Sequence, residues 1–84
     1  MRIETATDWS AVANELMKST RGVPHNPDLS KLLANIDDMV TKLSKAEVIA
    51  RRMHQTVDSL PELKEVNEAI DTFEQWLMIA ILSA

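Results

Sequence analysis

The chain has no cysteine and no tyrosine, one glycine and three prolines in 84 residues. Without cysteine there is neither a disulfide nor a thiolate metal site. Two separated histidines, His25 and His54, do not supply the clustered ligands of a zinc site. One glycine leaves little material for tight β-turns, and Val12, Val40 and Ile49 sit in helix-period rather than alternating patterns. These absences predict an all-α fold. Long apolar runs are missing too. The longest, Trp76 to Leu82, has seven residues, against the roughly 20 that span a bilayer. Positive charge is outnumbered, nine Lys and Arg against 13 Asp and Glu, which argues against a nucleic-acid partner. The start, Met-Arg-Ile-Glu-Thr, lacks the apolar core of a secretion signal. With no cysteine to oxidise, the expected location is the cytoplasm.

A chain of this length makes a single domain, 1–84, and buries only about 60% of its unfolded surface. With disulfides and metals excluded, regular helix packing and oligomerisation remain as sources of stability. The sequence supplies the first directly. Leu29, Leu32, Ile36, Met39, Leu43, Ala46, Ala50, Met53, Val57 and Leu60 follow a 3-4 spacing without a polar interruption. At this hydrophobic content such a run arises by chance roughly a few times in ten thousand in a fixed register, so it marks one long amphipathic helix.

Punctuation divides the chain into three helices. The first is expected at about 8–21, opening after Thr5 or Thr7 with Asp8 in its first turn and stopping at Gly22 in a left-handed conformation. Pro24 and Pro27 break the chain, and Asn26 is placed to cap the second helix, about 27–57, with Pro27 at its first position. Ser59 and Glu62 have the spacing of a capping box ahead of a third helix at about 60–82. Its stripe is Leu63, Val66, Ile70, Phe73, Leu77 and Ala80. The capping box favours a hairpin over one kinked helix at Pro61. The prediction is a three-helix antiparallel arrangement, a helical-hairpin core with helix one across its open side, in a homo-oligomer. The hairpin would set Arg51 and Arg52 against Glu65 to Glu68, and Lys45 near Glu74.

Motifs that carry chemistry are few. Glu62, Glu65, Glu68 and Asp71 repeat every three residues, a pattern that in small helical pyrophosphohydrolases holds Mg²⁺. Here the other acids, Asp37 and Asp38, fall at the far end of helix three. An acidic first turn and a solvated face therefore explain the run better. Arg51-Arg52-Met53-His54 is the one basic cluster, but Glu47 precedes it and no aromatic is adjacent to stack on a base. No serine or histidine has a context that suggests an activated nucleophile, and one glycine builds no phosphate loop. The sequence thus points to a protein that is not an enzyme and takes no cofactor or metal.

The apolar surplus is more informative. Trp76, Leu77, Met78, Ile79, Ile81 and Leu82 make the end of helix three apolar on every side, and Leu33 and Val40 flank the helix-two stripe. A helix apolar all round must be covered all round. These eight residues are the expected interface, with another copy of the chain first, a homodimer being the simplest arrangement, and with a further protein partner beside it.

The size, the lack of cysteine, Trp9 near the start and the Asn26-Pro27-Asp28-Leu29 turn resemble the small helical-hairpin needle subunits of type III secretion. That resemblance implies a hairpin that stacks with its own copies. In that family the proline turn lies near mid-chain, whereas here Pro24 and Pro27 lie near the first third and Pro61 adds a second break, so no residue roles transfer. The leading expectation is a small adaptor, chaperone or inhibitor that self-associates and docks a protein through apolar helix faces. The alternative is a structural subunit of a larger helical assembly. A Mg-dependent phosphohydrolase using the acidic helix ranks third.

Overall fold

A computed structural model describes residues 1–21, Val23 and residues 27–83 of the chain. Among these residues there is no strand, and the helices are α1 (Trp9–Thr20), α2 (Pro27–Arg52) and α3 (Pro61–Ser83). Short 3-10 turns at Ala6–Asp8 and Val57–Ser59 precede α1 and α3. The expected roles of Gly22, Pro24 and Asn26, and the position of His25, lie outside the described residues.

Helices α2 and α3 pack along each other as an antiparallel hairpin, in a body measuring 48 × 17 × 16 Å. Their buried seam holds Leu29, Ile36, Val40, Leu43 and Ala50 on α2, and Leu63, Val66, Ile70, Phe73 and Leu77 on α3. On α3 this is the expected stripe. On α2 it differs from expectation. The column Leu29, Ile36, Leu43, Ala50 is buried as predicted, but the second buried column is Val40 and Glu47, with Leu33 half-buried above them. The predicted second column, Leu32, Met39 and Ala46, is only half-buried, and Met53 is exposed. The reason is the N-terminal segment, which packs on the Leu33–Val40–Glu47 side and leaves the Leu32–Met39–Ala46 side without a cover.

Helix α2 also ends five residues before the predicted boundary. His54 takes a left-handed φ of 55°. Its amide bonds to Arg51 O at 3.2 Å and the Gln55 amide reaches Ala50 O at 2.8 Å. These paired bonds close a helix end, with histidine at the position more often given to glycine. Val57 and Leu60, predicted as the last members of a helical stripe, instead pack half-buried onto the core from a 3-10 turn and an extended residue. The capping box does not form as predicted. Ser59 Oγ donates to Thr56 O at 2.9 Å, inside the preceding turn, and α3 starts from Leu60. Hairpin formation thus rests on packing and on the φ of Pro61 at the first helical position, which is compatible with a helix start.

Helix α1 follows its N-terminal arm onto the hairpin. The Asp8 carboxylate accepts hydrogen bonds from the Glu4 and Thr5 amides at 3.0 and 3.1 Å, fixing the turn into the helix. Trp9 and Leu16 are buried in the common core, with Val12 and Ala13 half-buried beside them. A 12-residue helix is marginal alone, so this packing is what holds it.

Candidate protein-docking surface

The two sides of the hairpin are finished differently, and the difference defines the site. On one side the N-terminal arm is tied down by polar groups that the sequence does not single out. Ile3 is 1% exposed. Its amide donates to Asn67 Oδ1 at 2.8 Å and its carbonyl accepts from Asn67 Nδ2 at 3.0 Å, so one carboxamide satisfies both backbone groups of an inserted residue. Glu47, 4% exposed, accepts from the Ala6 amide at 2.7 Å. The Trp9 indole N–H donates to Asp37, and the Met1 ammonium pairs with Glu74. A signal for one of these exists in the sequence. Glu47 is the lone acid in the column Leu33–Val40–Glu47, and a carboxylate in an apolar column needs a donor.

These contacts also account for the predicted ion pairs. Glu74 takes the Met1 ammonium rather than Lys45. Arg51 and Arg52, the last residues of α2, are exposed and make no ion pair with Glu65 or Glu68 among the described residues.

The other side and the far end of α3 carry the apolar surplus. No residue from Gln75 to Ser83 is charged. Trp76 is 46% exposed, Ile79 56%, Met78 63% and Leu82 79%, so the final turns of α3 present large side chains to water on several sides. Ile81 is also exposed. Of the remaining predicted interface residues, Leu77 and Val40 lie in the chain's own core and Leu33 packs half-buried against it. One flank of this end is therefore part of the chain's own core, and the rest is open. Trp76 borders an open groove with Leu32, Asn35, Lys31 and Asp28, which run along the uncovered side of α2. At the opposite end of α2, Val48, Ile49 and Met53 are exposed as well.

The acidic residues of α3 do not gather. Among the described residues there is no group of three or more His, Cys, Asp or Glu side chains placed to hold a metal ion. Glu62 Oε2 is buried at the helix start without a hydrogen-bond donor, where the positive end of the α3 dipole faces it. Glu65, Glu68 and Asp71 are exposed along the outer face. Among the described residues no helix is long and apolar enough to cross a membrane.

Comparison with known proteins adds no relative: no family model, no curated protein and no solved structure matches the chain.

Proposed function

We propose that this chain is a protein–protein interaction module that docks through the uncharged end of α3. The supporting observation is the cluster of Trp76, Met78, Ile79, Ile81 and Leu82, all exposed in an 84-residue body whose other large apolar side chains are mostly packed away. Together they leave a patch on the order of 500 Å², the size that marks interaction sites on soluble proteins. Trp76 and Met78 suit such a role, since aromatic anchors carry much of an interface's energy and thioethers adapt to a partner's shape. Self-association is the first form of this function. An adaptor, chaperone or inhibitor acting on another cytoplasmic protein is the second.

The test is mass in solution together with capture. Light scattering behind size exclusion over a hundredfold concentration range measures self-association, and immobilised chain in extract of the source cell measures other partners. Wild type should either exceed the mass of one chain or retain a protein that Leu82→Asp loses, while circular dichroism of the variant stays helical. A chain of single mass at every concentration, with the same capture by wild type and Leu82→Asp, would remove the proposal. Growth without a fixed mass would instead identify the assembly-subunit form of the same function.

A further inference from the structure

The N-terminal arm sits on the hairpin as a peptide ligand sits on its host. We infer that the same seat takes the arm of a second copy of this chain, so that two copies trade arms and close as an exchanged dimer. The surface involved is the closed side of the hairpin, apart from the uncharged end of α3.

Host and guest groups are cleanly divided. The arm and the first residue of α1 bring backbone groups, the buried side chains of Ile3 and Trp9, and an indole N–H. Asn67 on α3, with Glu47 and Asp37 on α2, supplies the complementary groups. Asn67 meets both the amide and the carbonyl of Ile3. Glu47 then takes the amide of Ala6 and Asp37 the indole of Trp9. Every copy of the chain carries a segment of this chemistry at this spacing.

Reciprocity selects the second copy over a foreign peptide. A foreign segment in the seat would leave Ile3 and Trp9 of the displaced arm in water, where they lose the burial of 1% and 7% exposure. When two copies trade arms, both seats are filled and every contact of the closed chain is remade. The closed chain keeps one advantage, its tether, which holds the arm at an effective concentration on the order of millimolar. Chain concentration therefore sets the balance. The seat also exists before it is filled, since Ile3 closes on Asn67 across 64 residues and the hairpin pairs without it.

The seat is reached without opening the α2–α3 seam. Asn67 borders a surface cavity of about 390 Å³ beside Arg2. Glu47 borders one of about 480 Å³ beside Ala6 and Thr7. An incoming arm thus meets both hosts at the edges of the resident one, while Leu43, Val66 and Ile70 stay closed beneath. Helix α1 travels with the arm, because the Asp8 carboxylate holds the turn between them.

Complementary defects test the exchange, in a Leu82→Asp background that removes contact through the end of α3. Ile3→Asp spoils the arm and keeps the seat, whereas Asn67→Ala spoils the seat and keeps the arm. Each alone should show the mass of one chain by light scattering and remain helical by circular dichroism. Mixed in equal amounts, they should form a complex of one chain of each in native mass spectrometry. That complex should be roughly tenfold or more tighter than either variant's pairing with itself. A mixture that stays at single mass, or a variant that pairs with itself as well as with the other, would overturn the inference. Should either variant unfold, the Leu82→Asp chain with its own arm and seat decides. Held at about one millimolar and then diluted, it should keep a two-chain fraction that a sample never concentrated lacks. Single mass in both samples would also overturn the exchange.

Discussion

The two sides of one hairpin show what a small chain does with more apolar residues than it can bury. On the Leu33–Val40–Glu47 side, the arm and α1 cover the seam, and each polar group brought inside finds a partner: Ile3 on Asn67, Ala6 on Glu47, Trp9 on Asp37. On the Leu32–Met39–Ala46 side no segment of the described chain does the same, and Trp76, Ile79 and Ile49 remain in contact with water. The closed side differs in having hydrogen-bond acceptors at the places where an incoming backbone must be satisfied. On the open side the buried Glu62 Oε2 receives no such donor.

The sharpest way to break the comparison is in the shared seam. Phe73→Ala, at 1% exposure, should cost about 3–5 kcal/mol in denaturant melts, a large part of what a domain of this size possesses. On the closed side, Ile3→Ala should cost about 2–3 kcal/mol, since the arm can detach before the hairpin opens. Glu47→Ala should cost about 1–3 kcal/mol by stranding the Ala6 amide, and Glu47→Gln, which keeps an acceptor, should recover much of it. If Ile3→Ala and Glu47→Ala both melted like wild type, the arm would not be part of the cooperative core. On the open side, Trp76→Ala should change the melt of dilute, single chains by less than about 1 kcal/mol. A loss as large as that of Phe73 would mean this side is core after all. The smallest effect belongs to the exposed Glu15–Lys18 pair, 3.7 Å apart. Glu15→Ala should shift stability by no more than about 0.5 kcal/mol.

Much of this division was open to reading in the sequence, and the part that was not has identifiable causes. Pro27 and Pro61 mark the starts of α2 and α3 because proline fixes its own φ and needs no donor in a first turn, which is a local effect. The stripe of α3 reads correctly because every member meets α2. The stripe of α2 misled at its end, since Met53, Val57 and Leu60 continue the apolar spacing past the helix end at Arg52, where His54 takes the left-handed backbone more often given to glycine. Ser59 and Glu62 carry the spacing of a capping box, yet the serine hydroxyl is taken by Thr56, a competition between local bonds that spacing alone does not resolve. Ile3, Asn67 and Asp37 were invisible for a different reason. Their roles depend on contacts between segments 28 and 64 residues apart, and no periodicity encodes those. The exposed end of α3 was legible because its composition leaves no polar face to turn outward.

The distance in sequence between Ile3 and Asn67 has a consequence for the order of folding. The hairpin joins neighbours through a short turn, whereas the arm closes a loop of 64 residues and gains nothing until α3 exists to receive it. During synthesis the arm therefore leaves the ribosome before α3 yet settles after it. It waits beside a growing α2 whose Glu47 carboxylate is still in water. The arm then works as a final clasp, set only when the hairpin beneath it is already correct.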